Sequence, residues 1–286
     1  MKSPTVSSDT LHSAEHQTLV NTHFHSHVAQ WRDVYQQPGV EGAIYRKRLE
    51  IALEWIDDLA IPAGEKVLEI GCGGGRCTVA LAQRGYVVHA MDSVPGMVDS
   101  TRERVDQAGL RSSVSIGLGD AHKLAFPDGS FGLVLAIGVI PYLHSPQEAF
   151  SEMARVLRPG GVLLVTAGNR WRLNALLDSW LSSPVQFAKK VARAILRRFR
   201  KPQPQQLGLP LRLDSLRQLE DWLSGAGLVK NKMTTVGFPP LTFQGRPIFG
   251  EQTSIRLNNW LQGLADRNMS GIRSSGMDYV LLARKQ

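Results

Sequence analysis

VLEIGCGGG, residues 67–75, is an apolar run that breaks into glycines directly ahead of a helical stretch starting near Arg76. Such a run reads as a buried strand, a tight loop and a helix. Glycine in the loop lets the backbone approach a ligand where a side chain would collide. Working outward, the same rhythm repeats. YVVHAM (86–91) precedes a helix from about Met97; VSIG (114–117) and FGLVLAIG (131–138) follow; a helix over Pro146–Leu157 then leads into GVLLVTAG (161–168). Strands that alternate with helices imply parallel strands joined by right-handed crossovers, with helices on both faces. Apolar runs without alternation fit a sheet buried on both sides. The expected fold is α/β and doubly wound.

Two kinds of glycine loop open such folds. Dinucleotide enzymes use G-x-G-x-x-G, whose third glycine lets helix and strand pack closely. Counted from Gly71 and Gly73, that third position here is Arg76, so NAD is not expected to bind. Glu69 stands before the glycines and Gly75 after them. This pattern resembles the E/D-x-G-x-G-x-G loop of the class I S-adenosylmethionine-dependent methyltransferases. The resemblance extends to Asp92-Ser93 at the end of the second strand, to Gly119-Asp120-Ala121, and to LRPGG (157–161) before the fifth strand.

The resemblance implies a mostly parallel, seven-stranded Rossmann-like sheet, S-adenosylmethionine as cofactor and S-adenosylhomocysteine as product. It implies cofactor contacts at Glu69, Gly71, Cys72, Gly73, Gly75, Asp92, Ser93, Met97, Asp120, Ala121 and Ile137. Asp92 would accept from the ribose hydroxyls and Asp120 from the adenine amino group. Met97 would flank adenine, although core packing suits it equally. The LRPGG turn is given a structural role. One departure stands out: many relatives carry Phe-Asp where this chain has Phe131-Gly132, which weakens any scheme with a carboxylate base there.

The acceptor is expected at the carboxyl ends of the strands, beside A136-I-G-V-I-P-Y-L-H144. Tyr142 and His144 are its titratable residues and the candidate catalytic pair, Tyr142 touching the acceptor and His144 serving as base; a tyrosine packed on the helix and a histidine facing water are the plain alternatives. The stretch lacks the N-P-P-Y type of sequence used on nucleic-acid bases, and Cys72 and Cys77 belong to the glycine loop and its helix. Tyr35, Tyr45 and Arg46 are candidates to close over the cofactor carboxylate. His23, His25 and His27 would share one side only if extended, and no metal is expected.

The rest of the chain organises around this core. Residues 1–62 read as a helical arm or cap, with a helix over Glu41–Ala60; 63–168 as the cofactor-binding core; 169–212 as a basic helical lid inserted after strand five; 213–286 as the remainder of the core. That last part holds a helix at 213–227 and strands at 228–238 and 278–284. Between Arg170 and Lys201 there are nine Lys or Arg against one acid, Asp178, a local excess equal to the formal net charge of +8, so the rest of the chain is close to neutral. Within it, Val185–Lys201 has the spacing of an amphipathic basic helix. It is a solvated lid, a contact with an anionic membrane or lipid-linked acceptor, or a contact with an acidic partner. Nucleic acid is not expected, since no RNA-binding module is recognisable. No run of about 18 apolar residues appears, no secretory signal opens the chain, and the two cysteines form no disulfide framework. The expectation is a cytoplasmic enzyme, or one peripheral to the inner face of a membrane, methylating a small-molecule or lipid-like acceptor in a biosynthetic pathway. The alternatives are a non-catalytic S-adenosylmethionine-binding subunit or scaffold, and an RNA or carrier-protein-bound acceptor.

Overall fold

The structure, a computed structural model, describes residues 8–178, 211–244 and 246–286. Three N-terminal helices, α1 (Ser8–Ser26), α2 (Val28–Arg32) and α3 (Gly39–Asp58), precede the first strand. The sheet then builds from β1 (Lys66–Ile70), β2 (Val87–Asp92), β3 (Val114–Leu118), β4 (Phe131–Ala136) and β5 (Leu157–Gly168). Helices α4 (Arg76–Ala82), α5 (Pro95–Gln107) and α6 (Pro146–Val156) connect them. After residue 210 come α7 (Leu216–Gly225), β6 (Leu228–Val236), a small hairpin of β7 (Thr242–Phe243) and β8 (Arg246–Pro247), α8 (Glu251–Asp266) and β9 (Asp278–Lys285).

Seven strands form one sheet in the order β3-β2-β1-β4-β5-β9-β6. The five strands from β3 to β5 pair in parallel, while β9 runs antiparallel between β5 and β6. The order in which strands are added reverses at β1, with β2 and β3 on one side and β4 and β5 on the other, so the loops after β1 and β4 splay apart and open a crevice at the carboxyl ends. Period-two alternation sorts the strand side chains into two layers. Leu68, Ile70 and Val134 pack with Phe150, Met153, Leu219 and Leu223 on one face. Val67, Leu133 and Leu135 pack with Ala52, Trp55, Ile56 and Leu81 on the other.

The structure departs from the sequence reading in three places. LRPGG does not precede β5 but lies inside its span: Leu157 pairs with Phe131 and Val162 with Leu133, so residues 158–161 bulge out. Gly160 takes φ 73° there, a conformation that favours glycine. Second, α8 lies where the sequence reading placed no element. Its buried face includes Ser254, Asn258 and Gln262, so apolar periodicity could not show it. Those amides are buried because they serve the backbone: Asn258 Oδ1 accepts from Phe238 N and Gln262 Oε1 from Gly237 N, at 2.8 and 2.9 Å. Third, α1 runs through His23 and His25, so the extended geometry that would align His23, His25 and His27 is absent. His23 and His27 instead stack at 4.6 Å. The basic stretch Val185–Lys201 lies outside the described residues.

Candidate functional site

The loop after β1 is held open from both sides. Gly71 N and Cys72 N donate to Met91 O, tying the loop to β2. Gly73 adopts φ 54°, and a Cβ built on it would meet no atom within 4 Å. The backbone at Gly73 thus faces empty space, and it is the one loop glycine lying against a cavity where a side chain would protrude rather than clash. At Gly71 a Cβ would strike Val139 and at Gly75 the backbone of Thr101. The cavity measures about 260 Å³ and runs over the ends of β2, β1, β4 and β5.

Acids line one end of it. Asp92 closes β2, and its carboxylate accepts Gly73 N on one oxygen and Val94 N on the other, both at 3.0 Å. An ionised carboxylate has about four acceptor positions, so these bonds do not exhaust it. Burial raises the Asp92 pKa, opposed by those backbone donors. Glu69 is buried beneath the loop, where Thr78 Oγ1 donates to it at 2.5 Å. Burial is the main reason its pKa is pushed up to about 7. Asp120 follows β3. Burial pushes its pKa up, but the backbone N–H and imidazole of His122 outweigh that and leave it lowered. The Cys72 and Cys77 thiols are raised well above their ordinary value by burial and are not nucleophiles at neutral pH.

Helix α1 closes the roof. Asn21 Oδ1 accepts from Ser93 Oγ at 3.0 Å and from Gln17 Nε2 at 2.8 Å, which fixes α1 beside the Asp92 turn. Phe24 then meets Tyr142 edge-on at 4.8 Å and Trp31 at 5.3 Å, and Trp31 meets Tyr45 at 5.9 Å. These rings wall the cavity past the end of β4. Arginines gather at that far end. Arg48 and Asp278, 8% and 7% exposed, form an ion pair at 3.2 Å. Arg172 and Arg212 also line this region. Arg212 is committed to Asp214 at 2.8 Å.

A model of the methyltransferase domain matches residues 68–165. Residues 68–165 are a methyltransferase domain of the class I S-adenosylmethionine-dependent family. Methyltransferase GfsG of Streptomyces halstedii is 38% identical over 108 residues, 37% of this chain and 39% of that protein. The ubiquinone biosynthesis O-methyltransferase of Azoarcus sp. is 29% identical over 120 residues, 42% of this chain and 51% of that one. The matches thus span about two fifths to half of these relatives' own length. Among solved structures, the magnesium protoporphyrin IX methyltransferase of Synechocystis, with bound SAH, superposes with a TM-score of 0.64 at 14% identity, covering 95% of this chain and 100% of that one. That likeness is one of fold.

Within the methyltransferase domain, the cavity wall includes Glu69, Gly71, Cys72, Gly73, Asp92, Ser93, Met97, Asp120, Ala121, Ile137 and Tyr142. Two expected site residues are not part of it. Gly75 sits at the N-terminus of α4 with φ 75°, pressed on Thr101. His144 is not among the wall residues; its ring stacks at 3.7 Å on His122, which is in the wall. Tyr35 and Tyr45 line the cavity, whereas Arg46 points outward and donates to Tyr35 O and Gln37 O. The arginine of α3 in the wall is Arg48. Its signal was legible, since it interrupts the apolar stripe Ile44, Tyr45, Leu49, Ala52 and Trp55 with a buried charge. Arg172, Asp278 and the α1 roof carried no such mark. Gly132 also has a physical account: a Cβ there would collide with the Glu65 carboxyl, which pairs with Arg158 at 2.7 Å. An ion pair fills the space at which relatives place an acid.

Proposed function

We propose that this chain transfers a methyl group from S-adenosylmethionine to a small-molecule or lipid-like acceptor, leaving S-adenosylhomocysteine. The observation that carries the reading is the cradle at Gly73. Its open backbone, the Asp92 carboxylate and Asp120 line one cavity that continues past Tyr142. This donor and acceptor set fits the cofactor: Asp92 for two ribose hydroxyls, Asp120 for the adenine amino group, Met97 for the adenine face, and Glu69 for the cationic methionine end. The cofactor supplies a methyl group already activated by its sulfonium.

The chain's own task is then alignment and exclusion of water, which can supply much of the rate gain. The far end holds no side chain poised as a base among the described residues. Burial raises the Tyr142 pKa, so its phenol stays protonated, a donor that can orient an acceptor oxygen. Asp278 is tied to Arg48. Such a site suits an acceptor that is nucleophilic without help, or one that ionises in solution. The relatives' biosynthetic names support a small-molecule acceptor. Calorimetry with S-adenosylmethionine and S-adenosylhomocysteine tests the first half. Release of S-adenosylhomocysteine on incubation with candidate metabolite extracts tests the second. Binding without release would favour the non-catalytic scaffold; no binding of either compound would end the reading.

A further inference from the structure

The cavity is electrically polarised. Glu69 of β1, Asp92 at the end of β2 and Asp120 after β3 lie at one end, with Arg76 beside them, and Arg48, Arg172 and Arg212 converge on β4, β5 and β9 at the other. The acids suit a cofactor with a sulfonium and an ammonium. At the other end, the acid facing Arg48 and Arg172 is Asp278, which pairs with Arg48 and whose charge also reaches Arg172.

Among the described residues, two buried donor atoms there have no hydrogen-bond partner: Arg48 Nε and Arg172 Nε. Leaving a charged donor unpaired away from water is costly; the Arg48 side chain and the backbone that carries Arg172 are held in place by the fold. Arg48 is fixed by Asp278 and by stacking on Tyr45 at 4.6 Å. Arg172 is fixed through its backbone neighbours. Asn169, fully buried, donates to Ser274 O and Gly276 O and accepts from Trp171 N. Leu173 N donates to Ser275 O at 2.8 Å. The turn after β5 is thereby fastened to the loop leading into β9, and Arg172 stands beside Met277 and Asp278 in the wall. Phe24, Trp31, Tyr45 and Tyr142 flank the same space.

Resting on the methyltransferase reading above, we propose that Arg48 and Arg172 bind an anionic group on a flat apolar acceptor: a carboxylate, or an ionised phenol or enol. A guanidinium offers a planar fork that such oxygens satisfy two at a time, and the aromatic wall takes the flat body. The same chemistry is present in the cofactor's own carboxylate, so the test separates the two sources.

The test uses the full chain saturated with S-adenosylhomocysteine, titrated with 1-naphthoate and benzoate and with their methyl esters, followed by tryptophan fluorescence and calorimetry. At least one acid should bind about tenfold more tightly than its ester, the scale of a charge-assisted contact. Arg172→Gln should abolish that preference, leave the ester and S-adenosylhomocysteine affinities unchanged, and keep the parent's circular dichroism. Arg172→Lys should keep a preference but reduce it. Equal binding of acids and esters by the parent, or no binding of either acid, overturns the proposal. So does an Arg172→Gln variant that loses S-adenosylhomocysteine affinity instead, because the arginine would then serve the cofactor carboxylate. Failure of the parent to bind S-adenosylhomocysteine at all would be a failure of the methyltransferase reading, seen before any acid is added.

Discussion

At the scale of single residues, Asp92 has two tasks. Its oxygens hold Gly73 N–H and Val94 N–H in place, and the residue lines the cavity. Asp92→Ala should therefore weaken S-adenosylhomocysteine binding by about 2–4 kcal/mol, from two charge-assisted bonds lost and a loosened loop. Asp92→Asn should recover part of it. Calorimetry reads both, and unchanged affinity in the alanine variant would remove Asp92 from the site. Glu69 gives a pH-dependent prediction. Its pKa in the fold, about 7 against an ordinary 4.5, means the fold prefers the neutral acid. Its contribution to stability is present below pH 4.5 and is lost as pH rises through about 7. Glu69→Gln should leave stability near pH 4.5 unchanged and raise it at pH 8 by roughly 3 kcal/mol, measured by urea unfolding without ligand. The same variant should bind the cationic cofactor less well. Stability gained at the expense of function is common where a site holds an uncompensated charge.

At the scale of elements, α1 is docked by contacts that titrate. His16 of α1 meets the His144 ring at 6.2 Å, and His144 stacks on His122. Asp120 Oδ1 lies 2.7 Å from His122 Nδ1, and Glu148 adds the other nearby negative charge acting on His144. Burial is the main cause that lowers the pKa of both His16 and His144, with the charge of His122 adding to it. For a base whose pKa is depressed by folding, the stabilisation is complete above the ordinary value of 6.5 and is lost as pH falls below it. Amide protection factors along α1, referred to the intrinsic exchange rate at each pH, should fall as pH drops below about 6.5 while β1 and β4 stay protected. His16→Gln combined with His144→Asn should flatten that response. Loss of protection spread evenly over the sheet would mean that the histidines do not govern docking.

For the whole molecule, the roof and the sheet should have separable stabilities. The two apolar layers of the sheet do not include α1, whose described core contribution is Val20. Removing residues up to Ser26 should leave the sheet folded, with the thermal midpoint lowered by only a few degrees, roughly the effect of 1 kcal/mol. The cavity would lose Gln17, Val20 and Phe24. Ligand stabilisation scales with the logarithm of ligand concentration over Kd, so saturating S-adenosylhomocysteine should raise the midpoint of the full chain far more than that of the truncated one. Equal shifts would mean that α1 is not part of the site.

The pattern of strands and helices was legible because buried parallel strands are continuous apolar runs, and glycines and acids at their ends stand out against them. So β1 to β5, Glu69, the glycines, Asp92 and Asp120 could be named from one dimension. Arg48 was half legible, a charge in an apolar stripe. α8 was hidden because it buries amides that bond to the ends of β6, and such bonds have no period. Arg172, Asp278 and the α1 roof depend on the order of strands in space. β9 enters between β5 and β6, and only that insertion carries the last strand's first residue, Asp278, to the side of an arginine 230 positions earlier. Local sequence sets which segments bury their faces, since burial leaves a periodic trace. The character of the acceptor end arises from pairings between distant segments, and these leave no trace until the sheet is assembled.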